Sequence, residues 1–326
     1  MDTATPNSPD HVSIQDSGDV SGTRRAELKR QILAPAALAL AAVIWGGSYI
    51  VVKDTLNDVT PAVYLMLRYL IALPVVGLAF QKEIATWWRD ARRAMGTGMG
   101  RNWLLPPLIP GICLVGAFIF QSYGLQRSPP GLAAFLTSLV FVFVPLIEMA
   151  AGERIAWSRL AAPLMLAIVG TILLAGWPAA GLPVGSLLLL AGSVLYSGQI
   201  FFTGRLAANT HPAVNFVMQG AVVLLVSMLW SAVTRLSSSH LNLDTWLRIG
   251  YVAIVATGGC YLLQFWAQRF VKARYVGLIF TIEPIAATVL GWWFKYESIS
   301  IVSVLGSAAL IGAAGLAAWF STGDSK

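Results

Sequence analysis

The chain has 326 residues, of which 57% are apolar and only 11% are charged. Soluble globular domains contain about 45–50% apolar and about 25% charged residues, so this composition excludes an ordinary soluble domain and predicts an integral membrane protein. The formal charge of +7 would favour a nucleic-acid partner in a soluble protein. Here the basic residues fall mainly in short segments between apolar runs, so we predict no nucleic-acid partner and interpret them as a topology signal.

Residues 1–31 are polar and mixed in charge, and we predict a disordered cytoplasmic tail because they cannot bury enough apolar surface to offset the entropy of ordering. From Ile32 onward the sequence divides into apolar runs of about 17–22 residues, the length that a helix needs to cross about 30 Å of hydrocarbon. Residues 321–326 are predicted to be a short cytoplasmic tail. The ten predicted spans are residues 32–53, 61–80, 103–124, 131–148, 159–177, 183–203, 213–234, 246–267, 275–294 and 299–320.

The distribution of lysine and arginine predicts the orientation of the spans. With a cytoplasmic N-terminus, 16 of these residues lie on the cytoplasmic side and five lie on the opposite side. Because cytoplasmic loops are enriched in lysine and arginine, this bias places both termini in the cytoplasm. A cleaved signal peptide is the alternative for the first run, but that run is too long for a signal sequence.

The sequence also contains an internal repeat. The matching residues are 45–48 with 196–199 and 61–63 with 212–214, each 151 apart, and Thr137, Glu153 and Ile155 with Thr281, Glu297 and Ile299, each 144 apart. We therefore predict two repeats, residues 32–177 and 178–320, of five spans each. Since an odd number of crossings makes the second repeat enter the membrane from the opposite side, the fold is predicted to be all-α, with ten transmembrane helices in two inverted repeats. Many secondary transporters have this architecture.

Four segments carry a resemblance to a known family: AAVIWGGSYIVVKDTL, PAVYLMLRYLIAL, GLAAFLTSLVFVFVPLIEMAAGERI and GLIFTIEPIAATVLGWWFKYESI. Over about residues 32–320 the chain resembles the ten-helix EamA-domain branch of the drug/metabolite transporter superfamily. The resemblance implies transport of small metabolites, often amino acids or amphipathic compounds, across the bacterial inner membrane and mostly outward. The long basic segment 81–102 departs from the family pattern.

Glu283 is the leading candidate for a functional residue, because a charge inside the membrane costs about 2.5–3.5 kcal/mol on insertion scales. It lies nine residues past Arg274, which is roughly 14 Å along a helix and close to the membrane midplane. Pro284 removes a backbone donor and is predicted to interrupt the helix there. Glu283 could bind a substrate amine or exchange it for a proton; alternatively, it pairs with Arg68 or caps polar groups inside the bundle.

Arg68 could bind a substrate carboxylate through two hydrogen bonds, or it could have a structural role. Gly46 and Gly47 could form a gating hinge, and Pro145 is predicted to loosen the fourth span as Pro284 loosens the ninth, although the two prolines are out of register between the repeats. Other mid-depth residues could complete a substrate pocket or simply join helices: Trp45, Ser48, Tyr49, Gln121, Thr137, Ser138, Gln199 and Gln264.

No metal or cofactor site is predicted, because the three histidines are scattered and the two cysteines lie in apolar runs without metal-ligand spacing. The glycine-rich segment 96–100 lacks the context of a nucleotide-binding loop, and no hydrolase motif is present. We therefore predict a non-enzymatic secondary exporter driven by ion gradients, with proton coupling through Glu283. The alternative is a membrane protein that does not transport, either a lipid-modifying enzyme or a bundle that docks partner proteins.

Overall fold

The computed structural model describes residues 16–96, 105–175, 183–233, 241–294 and 300–322, and over these ranges it contains helices and turns but no strand. Ten spans in the described ranges are long and apolar enough to cross a membrane, which confirms the ten predicted runs. The helices are α1 (Asp16–Asp58), α2 (Pro61–Ala79), α3 (Gln81–Gly96), α4 (Leu105–Gln126), α5 (Pro130–Ser138), α6 (Val140–Ala150), α7 (Trp157–Ala175), α8 (Val184–Ala207), α9 (Pro212–Val233), α10 (Leu243–Tyr251), α11 (Cys260–Ala267), α12 (Ala273–Ile279), α13 (Glu283–Trp293) and α14 (Ile301–Thr322). We number the spans 1 to 10: α1 from Ile32, α2, α4, α5 with α6, α7, α8, α9, α10 with α11, α12 with α13, and α14.

Local sequence sets where the spans begin. Span 2 starts at Pro61, which suits a first helical turn because its missing N–H would be unpaired there. The Thr60 hydroxyl accepts a hydrogen bond from the Val63 N–H at 3.5 Å. Span 8 starts after Asn242, whose side-chain oxygen accepts from the Thr245 N–H at 2.8 Å. These caps satisfy backbone donors that have no partner within the helix.

Spans 4 and 9 are both interrupted near their centres. Span 4 breaks at Leu139, where ψ is 0°, and span 9 contains a 3₁₀ turn over Phe280–Ile282 immediately before Glu283. Under the 144-residue offset of the repeat, Leu139 corresponds to Glu283, so the two breaks lie within one residue of register. Pro284 follows the break in span 9 as predicted, whereas Pro145 lies inside α6, beyond the break in span 4. A membrane helix tolerates the loss of the one backbone hydrogen bond that a proline removes. The positions of the prolines alone therefore did not locate both breaks.

Span 8 contains a π-helical segment, Val252–Gly259, between α10 and α11. In a π-helix each N–H bonds to the carbonyl five residues earlier, so the segment holds an extra residue relative to an α-helix. Within it, the Thr257 hydroxyl donates to the Val252 carbonyl at 2.7 Å. Short π-helical segments inside α-helices are frequent at functional sites.

The main packing contacts between the spans are kept when each span of the first repeat is exchanged with the span five places later. Span 1 packs on spans 8 and 9, and span 6 packs correspondingly on spans 3 and 4. Span 2 also packs on span 8, as span 7 packs on span 3. The pairs 2 with 7, 4 with 9 and 5 with 10 each map onto themselves. This pattern is compatible with the predicted inverted repeat.

Spans 5 and 10 lie at the periphery, where they pack against each other and leave large apolar side chains such as Met165, Ile301 and Trp319 exposed. Spans 4, 6 and 9 are the most buried of the ten. Exposed apolar surface of this extent suits contact with lipid rather than water. The bundle therefore has a lipid-facing periphery around a buried centre.

The chain ends differ in part from the prediction. α1 begins at Asp16 and runs without a break into span 1, so residues 16–31 are helical rather than disordered. Residues 24–30, RRAELKR, are strong helix formers, and because helix formation is cooperative they extend a helix that the membrane already stabilises. Residues 1–15 and 323–326 lie outside the described ranges, while the predicted tail 321–326 begins inside α14.

The basic segment 81–102 begins with helix α3, Gln81–Gly96. This helix follows span 2 after the single residue Phe80 and packs on α9, the helix of span 7. It is rich in charged residues and is not one of the ten spans. α3 is therefore a helix at the end of the bundle, beside spans 2 and 7.

Candidate functional site

A cavity lies at the centre of the bundle, between spans of both repeats. Spans 1, 2, 3, 4, 6, 8 and 9 all contribute to its wall, so both repeats build it. The lining residues are Trp45, Ser48, Tyr49, Val52, Arg68, Phe118, Gln121, Leu125, Thr137, Val140, Tyr196, Gln199, Ile200, Tyr261, Gln264, Phe280 and Glu283.

The structure brings nearly all of the predicted site residues together around this cavity. Ser138 is the exception among them: it does not line the cavity, and its hydroxyl donates to the Phe135 carbonyl at 2.8 Å within its own helix. Successive residues of a helix point about 100° apart, so Thr137 can face the cavity while Ser138 does not. The predicted residues that line it are Trp45, Ser48, Tyr49, Arg68, Gln121, Thr137, Gln199, Gln264 and Glu283.

Glu283 provides the negative charge of the cavity. It is the first residue of α13, directly after the break in span 9, and only 7% of it is exposed. Tyr49 lines the same cavity as Glu283. Gln121 donates to the Tyr49 oxygen at 2.9 Å, and the Tyr196 hydroxyl donates to the Gln121 carbonyl oxygen at 2.8 Å. A chain of hydrogen bonds thus joins spans 1, 3 and 6 through cavity-lining side chains beside Glu283.

Arg68 provides the positive charge. Its Nε donates to the Thr257 hydroxyl at 2.5 Å, and its Nη1 donates to the Tyr64 hydroxyl at 3.3 Å. Its guanidinium carbon lies 4.4 Å from the centre of the Phe118 ring, a cation–π contact. Within the described residues Arg68 makes no ion pair, so the alternative in which it pairs with Glu283 is not what the structure has. Two buried groups of opposite charge therefore face one cavity, each held by neutral partners.

Aromatic rings form much of the remaining wall. Trp45 lies 5.1 Å from Tyr261 and 5.2 Å from Phe280 between ring centres, and Phe118 lies 5.7 Å from Tyr196. The Trp45 indole donates to the carbonyl of Ala256 in the π-helical segment at 2.6 Å. Four of these rings were not predicted as site residues: Phe118, Tyr196, Tyr261 and Phe280.

Signals for three of the missed rings were present in the sequence. Tyr196 corresponds to Trp45 under the 151-residue offset. Tyr261 and Phe280 each lie three residues before a predicted site residue, Gln264 and Glu283 respectively. Residues three apart share a helix face, so these two rings could have been placed beside them.

Buried glutamines join the spans on one side of the cavity. Gln199 donates to Gln219 at 3.0 Å and Gln264 donates to Gln199 at 3.3 Å. Gln268 continues the network by donating to the Ile200 carbonyl at 2.8 Å. Because their partners are one another, Gln199 and Gln264 serve as links between spans 6, 7 and 8 as well as lining residues.

Ion pairs join the spans at both ends of the bundle. At one end, the Arg274 Nε faces a Glu148 carboxylate oxygen at 3.0 Å, and Glu153 lies between Arg274 at 3.8 Å and Arg205 at 3.3 Å. We call these four residues the Arg274 cluster. Arg274 and Glu148 are almost fully buried, with 5% and 2% of their side chains exposed. The cluster ties the end of span 4 to the start of span 9 and the end of span 6.

At the other end, Arg248 lies 3.2 Å from Asp58 and also pairs with Asp244. The Thr245 hydroxyl donates to Asp58 at 2.8 Å. We call these four residues the Asp58 cluster. It ties the end of span 1 to the start of span 8 and is more exposed, with 22% of the Arg248 side chain accessible.

The fold and the cavity define the class first: a multi-pass helical membrane protein with a central cavity lined by charged, polar and aromatic side chains. The model of the EamA-like transporter family matches residues 33–176 and again residues 183–319. The chain therefore belongs to the EamA-like transporter family, which confirms the predicted place in the drug/metabolite transporter superfamily. Each match contains five of the ten spans.

Similar proteins agree with this class. An uncharacterized transporter of Archaeoglobus fulgidus is 23% identical over 91% of this chain and 88% of its own length. The uncharacterized inner membrane transporter YedA of Escherichia coli K12 is 23% identical over 82% of this chain and 85% of its own length. A solved crystal structure superimposes with a TM-score of 0.67 at 20% identity, covering 89% of this chain and 97% of the other. The protein is thus a membrane transporter, and its family implies a small-molecule substrate.

Proposed function

We propose that this protein is a secondary active transporter that exports small amphipathic metabolites, such as amino acids, across the bacterial inner membrane by alternating access. One observation carries the proposal: Glu283 and Arg68 are both buried and both face the central cavity, and within the described residues neither forms an ion pair. A buried charge without a counter-ion is costly. A ligand that brings one charge of each sign would stabilise both groups at once.

A zwitterion fits this arrangement. Thr257 accepts from the Nε of Arg68 and Tyr64 accepts from its Nη1, which leaves Nη2 and the second N–H of Nη1 to bind a carboxylate through the paired donors of a guanidinium. Glu283 accepts from a substrate amine. The rings of Trp45 and Phe280 contact the apolar part of the substrate, since aromatic side chains bury large apolar surfaces.

Proton coupling follows from the same carboxylate in this proposal. A proton and a substrate amine compete for Glu283, so the group is protonated when the substrate has left and deprotonated when the substrate is bound. The hydrogen-bonded chain through Tyr49, Gln121 and Tyr196 supports the carboxylate in both forms, because hydroxyl and amide groups both donate and accept. Net export of the amine is then exchanged for uptake of a proton.

Alternating access requires that the two ends of the cavity open in turn. The Arg274 cluster and the Asp58 cluster are suited to close opposite ends, because each joins a span of the first repeat to a span of the second. The bias of lysine and arginine supports a cytoplasmic position for the Arg274 cluster and for both termini. In this proposal residues 32–177 and 178–320 are the two inverted units that move against each other.

The test uses purified full-length protein in liposomes with an imposed proton gradient. Three probes share one apolar portion: leucine carries both charges, isopentylamine only the positive charge and 4-methylpentanoate only the negative charge. We expect leucine to give the largest flux. Thr137→Val should lower the leucine flux, because Thr137 lines the cavity. Ser138→Ala is the matched control and should leave the flux unchanged, because Ser138 does not line the cavity. Absence of flux for every probe contradicts the proposal, and conversion of a lipid without flux favours the lipid-modifying alternative.

A further inference from the structure

Helix α3 has an apolar side and a charged side. Ile84, Trp87, Trp88 and Ala91 recur at the spacing that places residues on one face of a helix. Ala91 is buried at 2% exposure and Ile84 and Trp87 are half-buried, which agrees with packing on α9, whereas 39% of Trp88 is exposed. The apolar side therefore lies partly on the protein and extends beyond it at Trp88.

The charges of α3 are sorted by sign around its axis. At about 100° per residue, the four basic positions fall in one arc of about 100° that begins beside Trp88, while the two acidic positions fall together beyond Trp87 on the opposite side of the apolar face. All six charged side chains are exposed. The basic residues are Lys82, Arg89, Arg92 and Arg93, and the acidic residues are Glu83 and Asp90.

The fold holds α3 at the boundary between membrane and water. It starts two residues after the last residue of span 2, and the ring of the intervening Phe80 lies 5.9 Å from that of His211, which directly precedes span 7. By the direction of the chain, the end of span 2 and the start of span 7 lie at the same end of the bundle as the Arg274 cluster. Tryptophan side chains favour this depth because their rings suit the headgroup region.

We propose that α3 is an interfacial helix whose basic arc, Lys82, Arg89, Arg92 and Arg93, binds the headgroups of anionic phospholipids in the adjacent leaflet. The basic groups are available for this contact. Within the described residues, the ion pair that the arc makes joins Arg93 to Asp90 at 3.8 Å, with 82% and 57% of the side chains exposed, and exposed pairs of this kind are weak. The acidic residues lie beyond Trp87, on the opposite side of the apolar face from Trp88, so headgroups beside Trp88 meet the basic residues Arg92 and Arg89. This inference does not depend on which solute the cavity binds.

The energetic scale makes the inference testable. Each basic residue near an anionic membrane surface contributes about 1 kcal/mol, which corresponds to about fivefold in affinity. Replacing three of the four should therefore weaken the binding of anionic lipid by about 100-fold. The attraction should also weaken as salt rises, because the interaction is between exposed charges.

The experiment measures retention of phosphatidylglycerol and of phosphatidylcholine by the purified full-length protein with native mass spectrometry at increasing salt. The wild type should retain phosphatidylglycerol preferentially, and the triple variant Arg89→Gln, Arg92→Gln, Arg93→Gln should lose that preference. The variant Arg127→Gln, at the other end of the bundle, is the control and should behave as the wild type. The triple lysine variant at the same three positions keeps the charge and should restore the preference.

Two results overturn the inference. One is retention of phosphatidylglycerol by the glutamine variant at the wild-type level, and the other is its loss from the lysine variant, since a loss despite unchanged charge points to side-chain packing. Circular dichroism and the thermal unfolding midpoint identify any variant that fails to fold. In that case Glu83→Gln with Asp90→Asn provides a second measurement, because removing the acidic residues must strengthen retention of phosphatidylglycerol or the inference fails.

Discussion

Spans 4 and 9 occupy corresponding places in the two repeats, yet they differ in chemistry. Both are interrupted near the centre of the bundle, within one residue of register. At the break, span 9 carries Glu283 and Pro284, where span 4 carries Leu139 and Val140. The shared break indicates a common scaffold, and the difference indicates that the negative charge of the cavity belongs to the second repeat alone.

The other helices that line the cavity show the same division. Arg68 of span 2 corresponds to Gln219 of span 7, whose amide takes part in the buried glutamine network. Trp45 of span 1 corresponds to Tyr196 of span 6, so an aromatic ring is kept at this position. Both repeats thus contribute an aromatic ring and a helix break to the site, whereas each charged group comes from one repeat. Variants at these positions test whether function depends on these differences.

The largest effect is expected for Glu283→Gln. A neutral amide neither pairs with an amine nor takes up a transferable proton, so flux driven by a proton gradient should fall by more than about 100-fold, the equivalent of about 3–5 kcal/mol for a broken buried pair. The control variant Leu139→Gln places the same amide at the corresponding position of span 4. Its flux should keep the pH dependence of the wild type. Liposome flux between pH 5 and 9 checks this, and a pH profile of Glu283→Gln equal to that of the wild type removes Glu283 from the mechanism.

The next effect concerns stability at the ends of spans 4 and 9. Arg274→Gln leaves the buried Glu148 carboxylate without its counter-ion and should cost about 3–5 kcal/mol. Arg248→Gln, in the more exposed Asp58 cluster, should cost about 1 kcal/mol or less.

Unfolding midpoints of both variants in one detergent provide the measurement for this pair. The double variant Arg274→Met with Glu148→Met should regain most of the loss, because it removes both buried charges. Equal losses at the two clusters would contradict the difference in burial.

A smaller effect is expected at Arg68. Arg68→Lys keeps the charge but loses the hydrogen bond to Thr257 and the paired donors of the guanidinium. A hydrogen bond to a charged group contributes about 1.5–3 kcal/mol, so the apparent affinity for leucine should fall by about tenfold or more. Isopentylamine lacks a carboxylate, and its apparent affinity should change little. Competition assays with both compounds measure the difference, and equal losses would show that Arg68 does not select for the carboxylate.

The smallest effect is expected for Gly46→Ala, at the close contact between spans 1 and 9. A Cβ at Gly46 would lie 2.4 Å from the Glu283 carbonyl oxygen and 2.7 Å from the Ala286 Cβ, so the backbone of span 9 must move. Gly46→Ala should cost about 1–3 kcal/mol through overpacking. Gly198→Ala, whose Cβ would meet the Cys113 Sγ at 3.2 Å, is the milder control.

Thermal unfolding checks the Gly46 prediction together with the leucine affinity of each variant. Gly46 and Gly47 lie within continuous α1, and their role as a hinge stays a prediction. If Gly46→Ala unfolds at the wild-type midpoint, the close contact with span 9 is not what the glycine provides.

Much of this arrangement could be predicted because the bilayer imposes strong rules on sequence. Membrane thickness sets the length of each apolar run, so the ten spans were evident from hydropathy. Polar groups inside a membrane protein avoid lipid and face the interior, which is why Gln121, Thr137 and Glu283 were found from their depth alone.

Other features have no such contrast in the sequence. Phe118 is an apolar residue within an apolar run, and only helix packing decides whether it faces the cavity or lipid. The break at Leu139 leaves no proline or glycine at the site, and the start of α1 at Asp16 depends on cooperative extension from a membrane helix. Depth can be deduced from one sequence, but the rotation of each helix about its axis depends on its neighbours.

The π-helical segment of span 8 has a consequence for that rotation. One additional residue rotates the side chains beyond it by about 100° about the helix axis. The two halves of the span therefore need not face the same neighbours. Arg248 before the segment pairs with Asp58, while Tyr261 and Gln264 beyond it border the cavity. Deleting one residue between Val252 and Gly259 would restore an ordinary α-helical winding. The span could then keep the ion pair of Arg248 with Asp58 or the cavity-facing position of Tyr261 and Gln264, but not both.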